Sequence, residues 1–188
     1  KPGGQAGIVL ANGSMSSNTS GEGKIRETMI KGDVVEIMIS LPDKLFLNTQ
    51  IPCCLWFLTK DKTKNGKDRR NETLFIDAKN LGTMQTKALK VFTDEDIQKL
   101  ANTVSSWRKD EGYEDIKGFC KSSSTKEIEK NSYVLTPGRY VGFIDEVYDG
   151  INFEKKMKTL SGDYIRLTEK SSLLDELIKK NLKKIYEK

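Results

Sequence analysis

The chemistry open to this chain is limited first by a residue type that it lacks. Its 188 residues include no histidine, which excludes a Ser-His-Asp triad, a histidine-ligated zinc ion and an imidazole base. Cys53, Cys54 and Cys120 lack metal-ligand spacing, and neighbouring residues of a strand point to opposite faces. We therefore predict reduced cysteines, no disulfide and no metal site. Any catalysis must use carboxylates, lysines, tyrosines, backbone groups or a bound cofactor.

One loop combines an aromatic ring with amide and hydroxyl side chains. Phe46 is followed by Asn48, Thr49 and Gln50, between two apolar runs of the chain. An aromatic face with polar groups beside it can hold a nucleobase. On the residues alone, an ordinary strand connection with Phe46 in the core is the commoner explanation of such a loop.

Two other segments carry groups that could bind phosphate. Arg139 stands beside Tyr140 in a compact turn, residues 132–141, where a packed turn without a ligand is the alternative. Residues 21–24, Gly-Glu-Gly-Lys, precede a helix but lack the spacing of a phosphate-binding loop, so we read them as a flexible loop.

The elements that position these candidates can be predicted from apolar runs. Residues 7–11 predict a buried parallel strand, residues 24–31 a short helix that ends at Gly32, and residues 33–41 and 51–59 two further strands. The helical connection makes the first two strands parallel, and the short loop makes the third antiparallel.

The middle of the chain predicts one more strand and two helices. Residues 73–77 are expected to form an edge strand. Thr93 is an N-cap candidate before a helix over residues 94–109, and Ser124 is another before a short helix over residues 125–131.

The last segment has the spacing of a coiled-coil seam. Apolar residues recur at alternating steps of four and three: Phe153, Met157, Leu160, Tyr164, Leu167, and after a polar break Leu174 and Ile178. Such a stripe needs the body of the chain or a partner helix, and we favour a partner. Residues 154–188 contain ten basic and six acidic residues, so most of the net charge of +5 lies here. A solvated lysine-rich face is the alternative to an acidic partner or phosphate.

Length and composition bound the organisation of the chain. One domain, or one domain with an appendage, fits 188 residues, and neither a membrane span nor a signal peptide is expected. Because the chain starts at Lys1 rather than Met and enters a strand-like run almost at once, we expect a fragment of something longer.

Taken together, several segments resemble the modification (M) subunit of type I restriction-modification systems. The resemblance is collinear and covers essentially the whole chain. Its most specific part is Leu-Thr-Pro-Gly-Arg-Tyr-Val at residues 135–141, preceded by Asn131-Ser132-Tyr133. The other matching segments are residues 2–13 (PGGQAGIVLANG), residues 25–27 (IRE), residues 35–42 (VEIMISLP) and residues 46–60 (FLNTQIPCCLWFLTK).

The resemblance implies a fold class and an activity. The fold would be α/β: the C-terminal half of a Rossmann-like methyltransferase sheet, with a small added subdomain and a C-terminal helical arm. The implied division is residues 1–60 for the catalytic part, 61–150 for added strands, helix and turn, and 151–188 for the arm. The intact subunit would transfer a methyl group from S-adenosylmethionine to adenine N6 in double-stranded DNA.

The family's Asp-Pro-x-x-Gly-Ser-Gly-type cofactor loop and its Asn/Asp-Pro-Pro-Phe/Tyr catalytic motif are both absent from this chain. The resemblance therefore implies the C-terminal part of an M subunit, inactive alone, with the cofactor bound mainly by the N-terminal part. Pro52 and Cys53-Cys54 also depart from the family's usual residues in the last strand.

The resemblance further implies site residues, partners and a compartment. Phe46, Asn48, Thr49 and Gln50 would line the target-base pocket. DNA or a subunit would be contacted by five residues: Arg139, Tyr140, Lys179, Lys180 and Lys183. The partners would be DNA, the specificity (S) subunit through the terminal helix, and also a restriction (R) subunit and a second M subunit, in a bacterial or archaeal cytoplasm.

Two other functions fit the same residues. One is a methyltransferase-like module that only binds DNA or docks a partner, without chemistry. The other is a solitary methyltransferase with a fused specificity domain. The sequence does not specify the DNA target.

Overall fold

The structure, a computed structural model, describes residues 3–64, 67–143 and 153–186. It divides into two compact units, Lys1–Ile144 and Asp145–Lys188, which are described separately. The predicted boundary between residues 150 and 151 lies outside the described residues.

The first unit is built on a five-stranded sheet of mixed direction. Its strands are β1 (Gln5–Ala11), β2 (Val35–Ser40), β3 (Cys53–Thr59), β4 (Glu72–Asp77) and β7 (Cys120–Ser124), and their order across the sheet is β1-β3-β2-β4-β7. Only β2 and β4 pair in parallel; the other three pairings are antiparallel. A separate two-stranded hairpin consists of β5 (Thr83–Met84) and β6 (Lys90–Val91).

The first strand differs from its prediction as a buried parallel strand. β3 lies between β1 and β2 and is antiparallel to both, as predicted for the third strand, so β1 and β2 run the same way without being neighbours. β1 is an edge strand, and all seven of its residues are exposed. Its continuous apolar run is typical of a strand covered on both faces, and the described residues do not supply that cover.

The prediction of an edge strand at residues 73–77 is also wrong. β4 is interior, because β7 pairs antiparallel with it and forms the edge. The sequence of β7, Cys-Lys-Ser-Ser-Ser, has no apolar alternation, so its pattern did not predict a strand. Strands from residues 61–143 therefore extend the sheet that residues 1–60 begin. The division at residue 60 between a catalytic part and an added part stays a prediction.

The predicted helices of the first unit are present. They are α1 (Glu22–Lys31), α2 (Asp94–Lys109) and α3 (Thr125–Lys130). Thr93 caps α2 in a capping box with Asp96, and the Ser124 side chain accepts a hydrogen bond from the Glu127 N–H at the start of α3. Each cap fixes where its helix begins.

The core lies on the two faces of the sheet. One face packs Met38, Trp56 and Phe75 against Ile30 of α1 and Ile128 of α3. The opposite face packs Ile37, Ile39 and Ile76, among others, against α2, from which Trp107 is buried. The strand period of two sends neighbouring residues of β2 to opposite faces, which is why its continuous apolar run is buried on both.

The described part of the second unit is one long helix, α4 (Phe153–Tyr186), as the periodic spacing predicted. None of its described residues is buried. The apolar stripe that begins at Phe153 and continues through Ile178 is therefore exposed on α4. No helix among the described residues is long and apolar enough to cross a membrane.

Candidate functional site

The predicted base loop and the turn with Arg139 both lie at the end of the sheet where strands β2 and β4 finish. Ser40 and Asp77 are paired at the carboxyl ends of these two parallel strands, and the Ala78 N–H donates to Ser40 O at 2.9 Å. Open α/β sheets bind ligands at the carboxyl ends of their parallel strands. We call this end of the sheet the carboxyl edge.

The predicted base loop follows β2 directly at this edge. Phe46 and Thr49 form an isolated antiparallel bridge, and the Thr49 hydroxyl accepts a hydrogen bond from the Ile51 N–H at 3.2 Å. The side chain of Phe46 is 45% exposed, and Asn48 and Gln50 are exposed beside it. The structure therefore places the four predicted residues in one turn with an accessible ring, and Phe46 is not in the core. Their contact with a base stays a prediction.

The hairpin of β5 and β6 braces this loop. The Lys90 N–H donates to Lys44 O at 2.8 Å, and the Lys90 ammonium lies 3.7 Å from Asp43 Oδ1. Lys44 adopts a φ of 60°, a left-handed conformation that an ordinary side chain seldom takes without support. The hairpin was missed in the sequence because its strands are only two residues long.

The turn with the most specific resemblance also reaches the carboxyl edge. Its short 3-10 helix, Pro137–Arg139, contacts both β4 and β2. Arg139 is exposed and makes no ion pair or side-chain hydrogen bond with another described residue. Its guanidinium is thus available to a ligand at this edge.

Tyr140, which was predicted to contact DNA or a subunit, is placed in the core. Its ring stacks on Phe75 with centroids 3.8 Å apart, and its hydroxyl donates to Val134 O. Burial raises the pKa of its hydroxyl well above the usual value. Because only 4% of Tyr140 is exposed, its placement argues against direct contact, and we assign it the positioning of the turn.

Arg26 is the positioning residue whose role the sequence did not reveal. Its buried guanidinium donates to Ser17 O at 2.5 Å, to Asn18 Oδ1 at 3.0 Å and to Tyr133 O at 3.1 Å. It also reaches Ser14 O at 3.3 Å. Arg26 therefore ties the loop after β1 to α1 and to the segment that leads to Arg139. The sequence signal that could have revealed this role is an arginine on the otherwise apolar side of α1.

The carboxyl edge has no activated nucleophile and no metal-ligand group among the described residues. Burial raises the thiol pKa of Cys53, Cys54 and Cys120, which keeps them protonated and unreactive near neutral pH. No group of three or more histidine, cysteine or acidic residues in the described ranges is placed to hold a metal ion.

Two cavities of the first unit have linings that do not match S-adenosylmethionine. The cavity beside β1, about 280 Å³, is lined mainly by apolar side chains such as Ile8, Leu10 and Trp56, with Glu22 as its single carboxylate. The larger one, about 520 Å³, lies between the sheet and α2 and has no carboxylate for a ribose. Neither of these two cavities therefore suits this cofactor.

The three predicted lysine contacts lie on α4. Lys179, Lys180 and Lys183 are exposed near its end. α4 belongs to the second unit, so they form a surface of their own.

The fold and the candidate site together indicate the class of protein: an α/β domain whose carboxyl edge is suited to binding a ligand. The first unit is a mixed α/β domain that offers an aromatic ring, amides and cations at the carboxyl edge. Such groups bind and position a ligand; they do not attack it.

Comparison with known proteins gives the family. Residues 1–149 match the family model described as N-6 DNA Methylase. The chain is 47% identical over 181 residues to the type I restriction enzyme HindI methylase subunit of Haemophilus influenzae, and the match covers 96% of this chain and 40% of that protein. It is 39% identical to the MjaIX methylase subunit of Methanocaldococcus jannaschii, over 96% of this chain and 32% of that one.

A solved structure agrees with this result. The type I restriction-modification methyltransferase subunit from Streptococcus thermophilus superposes with a TM-score of 0.63 at 32% identity, covering 75% of this chain and 27% of that one. The chain belongs to the N-6 DNA Methylase family, and its relatives are methylase subunits of type I restriction enzymes. It spans well under half the length of these relatives.

Proposed function

We propose that this chain supplies the target-base side of a type I restriction-modification DNA methyltransferase, which methylates adenine N6 in double-stranded DNA. The observation that carries the proposal is the exposed turn with Phe46, Asn48, Thr49 and Gln50 at the carboxyl edge. The chain's membership of the N-6 DNA Methylase family supports DNA methylation as the reaction class.

The open edge of β1 supports the idea that the chain is one part of a larger catalytic fold. Ile8 and Leu10 lie opposite Trp56 and Cys54 on one face, and Val9 lies opposite Leu55 on the other. All three β1 side chains are exposed. An apolar strand with an unpaired edge is a template for another strand. We propose that a further part of the longer protein pairs here.

The chain's own residues would bind and orient the adenine. A base that is methylated must leave the stack of the duplex. Phe46 would stack on the extruded adenine, and the amides of Asn48 and Gln50 with the Thr49 hydroxyl would bond to its polar edge. S-adenosylmethionine would supply the methyl group, held mainly by residues outside this chain.

The partners follow from the exposed surfaces. DNA would lie across the carboxyl edge, with Arg139 near its backbone. The stripe of α4 would pack against helices of a specificity subunit, with Lys179, Lys180 and Lys183 beside that contact or DNA. A second M subunit and a restriction subunit would complete a cytoplasmic assembly.

Substitution of Phe46 tests the proposed base contact. In the intact subunit assembled with its specificity subunit, Phe46→Ala should lower kcat/KM for methylation of the target duplex by about 5- to 150-fold. Loss of base–aromatic stacking costs about 1–3 kcal/mol, which corresponds to that range. The measurement is transfer of labelled methyl to N6-methyladenine.

The adjacent Leu47 provides the matched control. Leu47 is even more exposed than Phe46 and is apolar, but it lies outside the proposed contacts. Leu47→Ala should leave kcat/KM within about twofold. Equal effects of the two substitutions would show that the turn matters only as a connection and would contradict the base contact.

A further inference from the structure

Lys79 is a further cation held at the carboxyl edge, just after β4. Its ammonium lies 3.1 Å from Asp77 Oδ2, and its backbone N–H donates to Asp77 Oδ1 at 3.2 Å. The Asp77 side chain is 15% exposed and that of Lys79 is 44% exposed. The carboxylate therefore fixes where the ammonium lies, while the other donors of the ammonium stay open to solvent.

The turn that carries Arg139 lies directly against this ion pair. A Cβ atom added to Gly138 would be 3.3 Å from Asp77 Oδ2 and 3.5 Å from Lys79 Nζ. Tyr140, on the other side of Arg139, is held by its stacking on Phe75. The backbone of Arg139 is thus fixed from both sides, next to Lys79.

The hairpin connects this pair of cations to the base loop. It begins four residues after Lys79, and it bonds to the loop through Lys90 and Lys44. Lys87, at the exposed tip of the hairpin, adds a positive charge. Asp77 and Asp43 pair with Lys79 and Lys90, and Asp96 at the start of α2 accepts a hydrogen bond from the Gly82 N–H at the base of the hairpin. The acidic groups nearest the two cations are thus already engaged, and the charge of this edge is mixed.

A lysine and an arginine carried on adjacent turns are suited to phosphate. Lysine binds phosphate as a point charge, and the arginine guanidinium can bind two oxygens at once. We propose that Lys79 and Arg139 form a pair of phosphate contacts that hold the DNA backbone beside the target adenine, with Asp77 as the residue that positions Lys79. This proposal rests on the proposed function, because it needs duplex DNA at the carboxyl edge.

The test is the salt dependence of duplex binding by the intact subunit assembled with its specificity subunit. Each phosphate contact contributes about 0.9 to the slope of log K against log salt concentration. Lys79→Gln and Arg139→Gln should each reduce the magnitude of the slope by about 0.9, and the double variant by about 1.8. Target and non-target duplexes should be affected alike, because the backbone carries no sequence information.

Two kinds of control separate contact from structure. Lys67→Gln and Arg70→Gln remove cations before β4, at the opposite end of the strand, and should leave the slope unchanged. Lys67 is a close match to Lys79, being 40% exposed and paired at 2.9 Å with Asp110. Lys79→Arg and Arg139→Lys keep the charge and should keep the slope.

The possible failures are distinguishable. If the unsubstituted assembly binds duplex and the folded double variant keeps the full slope, the phosphate pair is wrong and the proposed function stands. If the unsubstituted assembly does not bind duplex at all, the proposed function fails, and the pair fails with it.

Discussion

Arg26 shows how a single buried residue arranges the candidate site from a distance. Its guanidinium donates hydrogen bonds to two separate segments: Ser17 and Asn18 lie in the loop after β1, and Tyr133 lies in the turn of residues 132–141. Burial lowers its pKa, but the guanidinium stays charged at any ordinary pH. Its cost of burial is offset only while all of these acceptors are in place.

We predict that Arg26→Met destabilises the protein by about 1–3 kcal/mol, the usual cost of leaving buried hydrogen-bond acceptors unsatisfied. The substitution leaves the oxygens of Ser17 and Tyr133 without their donor. Urea denaturation followed by circular dichroism measures the change. The control is Lys24→Met on the same helix, at an exposed position, which should cost under about 0.5 kcal/mol. A loss below about 1 kcal/mol for Arg26→Met would contradict its bracing role.

At the scale of elements, local sequence patterns predicted the helices of the first unit. α1, α2 and α3 and their caps follow from periodicity and from Thr93 and Ser124, which act within one turn of their own helices. The positions of β1 and β7 depend on long-range pairing, which periodicity does not encode. β7 is polar and became a strand through its pairing with β4. The residues of the base loop could be predicted from the sequence. The contact by which the β5–β6 hairpin braces this loop could not be predicted.

The helix α4 carries the prediction at this scale. Leu174→Glu places a charge in the exposed apolar stripe and should abolish stable association with the specificity subunit, because an unpaired charge in an apolar interface is costly. Size-exclusion chromatography with light scattering on the mixed subunits measures this. Ser172→Glu, on the same helix outside the stripe, should assemble normally. Assembly of the Leu174→Glu variant with unchanged stoichiometry would exclude the stripe as the contact.

At the scale of the whole molecule, two observations support the proposal that the chain is one part of a larger catalytic fold. Strand β1 is apolar and exposed, and the chain spans well under half the length of its relatives. The first unit has a core of its own on both faces of the sheet, yet among its described residues the outer edge of the apolar strand β1 has no partner strand. We propose that the chain holds the target base and the DNA phosphates, and neither of the two cavities beside its sheet suits the cofactor. We therefore regard methylation as a property of the longer protein.

The most direct test of this account is methyl transfer by a chimera. In the H. influenzae HindI methylase subunit, the segment that matches this chain is replaced by this chain, and the product is assembled with its specificity subunit. Transfer from labelled S-adenosylmethionine to duplex DNA is then measured for the chimera and for the 188-residue chain alone. We predict N6-methyladenine from the chimera and no transfer by the chain alone. Transfer by the isolated chain, or a folded and assembled chimera that transfers no methyl group, would contradict the account.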